Sequence, residues 1–151
     1  MIATYRLQLN PDFDFDAAAA VVPYLSRLGI SQVYASPYLQ AVSGSNHGYD
    51  VVDHGRVNEE LGGERGREWF CRSLAETGMS HILDIVPNHM AITGPESVWW
   101  WDVLENGMSS RFAHFFDVDW EYGGGVSNRI LLPVLGDHCG RLIEAGEIRL
   151  E

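Results

Sequence analysis

The stretch HILDIVPNHM, residues 81–90, contains the pattern that decides the fold of this chain. An apolar run carries one carboxylate, Asp84, and ends at a proline, after which an amide and an imidazole follow directly. A strand that is apolar along most of its length is typical of a parallel sheet covered on both faces. Polar groups in such sheets gather at the carboxyl ends of the strands. The stretch therefore predicts a buried strand with a site at its end.

The same order of elements recurs along the first 90 residues. Apolar residues at spacings of three and four predict two helices, and each is followed by a glycine, Gly29 or Gly78. The predicted strands cover residues 4–9, 31–35 and 81–86. The first predicted helix starts at Asp12 or Asp14, and the second starts at Glu64. Alternation of strands and helices favours a parallel sheet with right-handed crossovers, so we expect an α/β fold.

The rest of the chain is less regular. Residues 40–63 are predicted to form a long polar loop, and loops of that length are often functional. After Met90 only a short helix over residues 95–105 and strand-like runs at residues 130–135 and 148–150 are predicted. Because three parallel strands leave both sheet edges unpaired, we expect the chain to be the N-terminal piece of a larger protein.

Composition excludes several classes of function. The chain has 151 residues, of which 46% are hydrophobic and 21% charged, as is usual for a globular domain. Its net charge of −11 argues against nucleic acid or an anionic membrane as partner. The N-terminus lacks the features of a signal peptide, and no apolar run is long enough to span a bilayer, so we expect a cytoplasmic protein.

Two groups of residues are candidates for a site. Asp84, Asn88 and His89 follow the third predicted strand, and His47, Tyr49 and Asp50 follow the second. Both groups would lie at the same edge of a parallel sheet. The alternative interpretation is that these side chains only satisfy backbone groups of ordered turns. No HExxH motif, cysteine pair or glycine-rich phosphate loop occurs, so neither a metal nor a cofactor is expected.

The run DIVPNH, residues 84–89, resembles the first sequence signature of the α-amylase superfamily, glycoside hydrolase family 13. Seven segments, in order along the chain, resemble the glucosylmutase branch of that family. They are TYRLQL, PYLSRLGISQVYASP, GSNHGYDVVDH, ELGG, DIVPNHM, FFDVDW and ILLPVLGDH. The resemblance implies a partial (β/α)8 TIM barrel, strands one to three with their helices, in residues 1–92. Residues 93–151 would begin a domain inserted after strand three.

The resemblance also implies a reaction. Enzymes of this branch convert the reducing-end α-1,4 bond of a maltooligosaccharide or α-1,4-glucan into an α,α-1,1 bond. Tyr49 resembles the aromatic residue that stacks under the sugar at the cleavage site, and His89 resembles the histidine that binds a hydroxyl of that sugar. Asp84 resembles the carboxylate that orients an arginine near the nucleophile. Asn88 resembles a residue that anchors the inserted domain.

Two further residues, His47 and Asp50, match the family's loop motif without a defined role. The nucleophile and the acid/base of the family come from later strands, and no carboxylate in this chain matches those motifs. We therefore expect the isolated chain to be inactive and its missing partner to be the C-terminal part of the barrel. The alternatives are another glycosidase of the superfamily, a non-catalytic carbohydrate-binding product, or an unrelated small α/β domain.

Overall fold

The computed structural model describes residues 3–122, 128–132 and 134–149. The chain divides into two compact units, Met1–Trp101 and Asp102–Glu151. The elements are β1 (Thr4–Leu7), α1 (Phe15–Arg27), β2 (Gln32–Ala35), β3 (Leu39–Ala41), β4 (Val51–Val57), α2 (Gly63–Glu76), β5 (Ser80–Leu83), α3 (Val98–Asn106) and α4 (Cys139–Glu144). Short 3₁₀ helices cover Glu59–Leu61, Gly107–Ser109 and Ala113–Phe115.

The first unit is built on a parallel sheet in the order β1-β2-β5, which confirms the prediction of three parallel strands. Helices α1 and α2 are the two crossovers, and their apolar faces cover one face of the sheet. Phe15 at the start of α1 is fully buried and packs edge-on against Tyr38, with 5.3 Å between ring centroids. The other buried members of this core include Leu7, Leu9, Ala18, Val22, Leu25, Val33, Ala35, Phe70 and Leu74.

Both helices begin and end close to the predicted positions. The carboxylate of Asp14 caps α1 by accepting a hydrogen bond of 2.9 Å from the amide of Ala17. Gly29 lies two residues beyond the end of α1, and Gly78 lies two residues beyond the end of α2. The 3.6-residue apolar period was sufficient to predict these elements, because each helix buries a single face.

The prediction of a polar loop over residues 40–63 is wrong. β3 and β4 form an antiparallel pair within it, and a 3₁₀ helix follows. Only three side chains of β4 are buried, namely Val51, Val52 and Val57, while its middle is polar and partly exposed. A strand whose central residues face solvent has no apolar alternation, so the pattern did not show it.

The strand predicted at residues 81–86 is also shorter than expected. β5 ends at Leu83, and Asp84 follows it while its amide still donates to the carbonyl of Ala35 at 3.0 Å. β5 is at an edge of the described sheet and is only partly buried, so the expected burial on both faces is not found. Ile85 beyond it is 62% exposed.

Helix α3 begins in the first unit and ends in the second, and its bounds are close to those of the helix predicted at residues 95–105. The described residues of the predicted runs at 130–135 and 148–150 are not in strands, while positions 133 and 150 lie outside the described residues. Helix α4, which the sequence did not predict, has six residues, too few to show a period. Its N-cap is His138, whose Nδ1 accepts from the amide of Gly140 at 3.3 Å.

Candidate active site

One face of the parallel sheet carries polar side chains instead of core residues. Arg6 of β1 pairs in register with Tyr34 of β2, which pairs with Ile82 of β5. Because side chains alternate between faces along a strand, Arg6, Tyr34 and Ile82 point to the same side, opposite the helices. Asp84 is two residues beyond Ile82 and continues that face. The carboxyl ends of three strands thus present a cation, a phenol and a carboxylate together.

Arg6, Tyr49 and Asp84 form a closed set of hydrogen bonds. Nη1 of Arg6 lies 3.3 Å from Oδ2 of Asp84, and its Nη2 donates to the phenol oxygen of Tyr49 at 3.1 Å. The Tyr49 hydroxyl in turn donates to the same Oδ2 at 2.5 Å. The guanidinium also lies over the ring of Tyr34, 4.7 Å from its centroid. Every polar contact of this carboxylate favours its ionised form.

The titration of these groups reflects that geometry. The hydrogen bond from Tyr49 is the main cause that lowers the pKa of the Asp84 carboxyl, and Tyr34 and Arg6 contribute further. A hydrogen bond to Asp84 is the main cause that raises the pKa of the Tyr34 phenol. Tyr49 is the main cause that raises the pKa of the Arg6 guanidinium. The site therefore holds a fixed anion and a fixed cation at neutral pH.

Gln8, just beyond β1, attaches the 43–50 loop to this cluster. Its Oε1 accepts from Nη2 of Arg6 at 3.2 Å. Its Nε2 donates to the carbonyls of Asn46 and His47, each at 3.4 Å. The side chain thus links the end of the first strand to the backbone of the loop that carries Tyr49.

The loop is also held by its own side chains. The hydroxyl of Ser45 donates to Asp50 at 2.5 Å and accepts from the amide of Gly48 at 3.1 Å. Nδ1 of His47 accepts from the amide of Tyr49 at 3.1 Å, and the two rings stack with centroids 6.0 Å apart. A ring nitrogen that accepts from an amide carries no proton, so the 3.6 Å approach of this nitrogen to Asp50 is not an ion pair.

Gly48 allows the loop to pack against the end of the second strand. Its φ is +74°, and a Cβ at this position would lie 2.3 Å from the carbonyl oxygen of Pro37. No side chain fits there, because a real Cβ never approaches a carbonyl oxygen so closely. The close approach fixes the height of the loop above the sheet and hence the position of the Tyr49 ring.

The predicted residues Asn88 and His89 are exposed and contact each other, with 3.1 Å between Oδ1 and Nδ1. Within the described part of the chain neither makes a hydrogen bond to Arg6, Tyr49 or Asp84. Their segment is attached elsewhere, since the carbonyl of Val86 lies 3.0 Å from Nε2 of His54. The structure thus brings Tyr49, His47, Asp50 and Asp84 together and leaves Asn88 and His89 outside this set of contacts.

Sequence reasoning missed Arg6, Gln8 and Tyr34. A signal was present in TYRLQL, where Arg6 and Gln8 alternate with Leu7 and so lie on the face opposite to the core. Arg6 is also the arginine that contacts Asp84 in the described chain.

Among the described residues, no group of three or more His, Cys, Asp or Glu side chains is placed to hold a metal ion. None of the described helices combines the length and the apolar character that a bilayer crossing needs.

Comparison with known proteins identifies the family. The model of the family "Alpha amylase, catalytic domain" matches residues 14–126, so the chain belongs to the alpha-amylase family. It therefore has the fold of that catalytic domain, which is of the TIM-barrel type.

Within that family the chain is similar to maltooligosyltrehalose synthases and, at lower identity, to a maltogenic amylase. A putative maltooligosyl trehalose synthase of Mycobacterium tuberculosis strain H37Rv is 43% identical over 99% of this chain and 21% of its own length. The structure of maltooligosyltrehalose synthase from Arthrobacter ramosus superposes with a TM-score of 0.88 at 49% identity, covering 95% of this chain and 19% of that one. The intracellular maltogenic amylase of Bacillus subtilis strain 168 is 30% identical over 70% of this chain and 17% of its own length. The chain thus spans about one fifth of these relatives.

Proposed function

We propose that this chain supplies the first three strands of a (β/α)8 barrel in a (1→4)-α-D-glucan 1-α-D-glucosylmutase. That enzyme would convert the reducing-end α-1,4 bond of a maltooligosaccharide into an α,α-1,1 bond. The observation that carries the proposal is the closed Arg6–Tyr49–Asp84 cluster at the strand ends, in a chain that resembles maltooligosyltrehalose synthases over nearly its whole length.

Tyr49 would form the platform for the sugar at the cleavage site. Its hydroxyl is bonded to Asp84 and its backbone is held through Gln8 and His47, so the ring has little freedom. An aromatic ring of fixed position suits the C–H face of a pyranose. His89, which is exposed and bonded to Asn88, would donate to a sugar hydroxyl. Residues 1–92 would belong to the barrel and residues 93–151 to an inserted domain anchored near Asn88.

Asp84 would act by electrostatics and positioning. Its lowered pKa keeps it ionised across the physiological range, and Arg6 and Tyr49 occupy the same oxygen, Oδ2. The carboxylate is therefore poorly placed to attack a sugar, since a nucleophile needs a free oxygen directed at the anomeric carbon. Tyr34 contributes a further hydrogen bond to the same carboxylate.

The bond-making groups would come from outside these 151 residues. A retaining mechanism needs one carboxylate as nucleophile and a second carboxyl group as acid and then base, about 5–5.5 Å apart. The released glucose would then attack the glycosyl intermediate through its anomeric hydroxyl instead of water. Rearrangement without hydrolysis requires that water be excluded from the closed site. A rigid platform that holds the sugar in place serves that requirement.

A hybrid enzyme would test the proposal. The matching fifth of the Arthrobacter ramosus synthase is replaced by this chain, and maltopentaose is supplied as substrate. We expect loss of reducing ends without release of glucose. Tyr49→Ala or His89→Ala should lower kcat/KM about a hundredfold, as a misplaced substrate does. The exposed residue Tyr24, on the outside of α1, gives the control variant Tyr24→Ala, which should keep full activity.

Two results would contradict the proposal. Release of glucose with new reducing ends would assign the segment to a hydrolase of the same family. Full activity in the Tyr49→Ala hybrid would remove the platform role. Circular dichroism of each hybrid separates these results from a failure to fold. The 151-residue chain by itself should not convert maltopentaose at an enzyme-like rate.

A further inference from the structure

A groove of about 600 Å³ opens on the outer surface of the first unit, between the first turn of α1 and the first three turns of α2. It is remote from the polar face of the sheet, because its walls are the solvent side of the two helices. Gly66, which has no side chain, forms the floor of the groove. A Cβ on Gly66 would lie 3.2 Å from the ring of the fully buried Phe15, so the two helices meet closely at this point.

Trp69 of α2 stands at the centre of this surface and is 47% exposed. A second groove of about 360 Å³ shares Trp69 and Asp16 with the first and continues along the helices. The indole of Trp69 is therefore bordered by open space in both grooves. An exposed indole leaves a large apolar surface in contact with water, which burial would avoid. Exposed aromatic surfaces of this kind are typical of binding sites.

Four charged side chains surround the indole, namely Asp16, Arg65, Glu68 and Arg72. None of them forms a hydrogen bond or ion pair with any other described residue, although Glu68 and Arg72 have the i,i+4 spacing that favours one. The two arginines and the two carboxylates give these four side chains no net charge, so the groove favours neither an anion nor a cation. Unpaired donors and acceptors beside an aromatic face fit an uncharged ligand with many hydroxyl groups.

The groove lies at the same end of the unit as the strand carboxyl ends. α1 and α2 are crossovers between parallel strands, so they run opposite to the strands, and their first turns lie near the ends of β1 and β2. A chain-like ligand that enters the site at the strand ends could thus extend over the rim of the sheet towards the groove.

We propose that this groove is an accessory site for α-1,4-linked glucose chains. The Trp69 indole stacks on one glucose ring, and the guanidinium and carboxylate groups beside it bind the ring hydroxyls. The site would hold a part of the glucan that is several residues away from the reacting end. This inference rests on the proposed function for the identity of the sugar, while the groove itself does not involve Tyr49, Asp84 or His89.

The test uses the uniformly ¹⁵N-labelled 151-residue chain, so that backbone amides and indoles are both observed by NMR, with maltoheptaose as probe. We expect the Trp69 Nε1–H signal to shift at millimolar maltoheptaose and to shift less with cellopentaose, whose β-1,4 links give a straighter chain. Trp69→Ala should weaken this binding about tenfold or more, as truncation of an aromatic anchor does. Trp101, equally exposed at 45%, gives the matched variant Trp101→Ala, which should leave the affinity unchanged.

The outcomes separate this inference from the proposed function. Shifts near Tyr49 and His89 without a Trp69 shift would overturn the accessory site and leave the proposed function standing. A Trp69 shift that persists in Tyr49→Ala supports an independent second site. Equal shifts with both sugars would mean unspecific stacking and would overturn the assignment to α-glucan. No shift at Trp69 with either sugar would overturn the accessory site outright.

Discussion

The hydroxyl of Tyr49 donates a hydrogen bond of 2.5 Å to Oδ2 of Asp84 and so joins the 43–50 loop to the end of β5. Arg6 bonds to both residues from the first strand. Three segments far apart in the chain are therefore fixed by one carboxylate oxygen. This arrangement gives the loop a defined height over the sheet.

We expect Tyr49→Phe to raise the pKa of the Asp84 carboxyl towards its ordinary value. The phenol is the main cause of the lowered pKa, so its loss should have a larger effect than Arg6→Met, which removes a smaller contribution. Titration of the ¹³C carboxyl signal of Asp84 measures both changes. Tyr5→Phe on β1 is the control and should leave the titration unchanged. A larger shift in Arg6→Met would show that charge dominates over the hydrogen bond.

The same contact should make stability depend on acid pH. The pKa of the Asp84 carboxyl is lower in the folded state than its unfolded value of about 3.9. The ionised carboxylate therefore stabilises the fold at pH values above about 3.9. This stability is lost as the pH falls through the folded pKa. Urea unfolding should therefore show Tyr49→Phe less stable by about 1 kcal/mol near neutral pH, with a smaller difference at pH about 3. A difference that is constant with pH would mean that the lost contact is not to the ionised carboxylate.

Gly48→Ala should destabilise the chain strongly. The added Cβ would lie 2.3 Å from the carbonyl oxygen of Pro37, and the backbone φ of +74° is itself unfavourable for alanine. We expect a loss of about 3 kcal/mol or more in urea unfolding. Gly44 is the matched control, since its φ is +75° but no atom lies within 4 Å of its Cβ position. Gly44→Ala should cost only about 1–2 kcal/mol, and equal losses would exclude the clash with Pro37.

His81 should make stability fall as the pH drops below neutral. Its Nε2 is buried without a hydrogen-bond partner among the described residues, and its ring packs against Tyr38 and Phe70. Burial is the main cause that lowers the pKa of this imidazole from its ordinary value of 6.5. Because the folded state prefers the neutral ring, stability is fully present above about pH 6.5 and declines below it, down to the folded pKa.

His81→Phe should remove that decline, since the ring is kept and the titrating group is lost. Thermal unfolding between pH about 7 and 5 measures the slope, over the range in which a free imidazole titrates. His89→Gln, at an exposed imidazole outside the core, is the control variant. An unchanged slope in His81→Phe would assign the pH dependence to another group.

The sequence was most informative where one residue type decides the local structure. The helix cap at Asp14, the glycine after each helix and the apolar run before Asp84 were sufficient to predict α1, α2 and the strand between Gly78 and Pro87. The β3–β4 hairpin was not predicted, because its central residues are solvated and their order shows no apolar period. The candidate residues Tyr49 and Asp84 were chosen from the chain, but nothing in their spacing shows that they touch.

By itself, the sequence determined the α/β class, the parallel direction of three strands and the family. These follow from periodicity, turn residues and signature motifs. Only the tertiary structure decided that Arg6, Tyr49 and Asp84 share one oxygen, that Gln8 holds the loop backbone, and that Trp69 stands over an open groove. Strand register and helix packing bring together residues that are up to 78 positions apart in the sequence, such as Arg6 and Asp84. Contacts of that kind depend on how the whole core packs, and local sequence patterns do not show them.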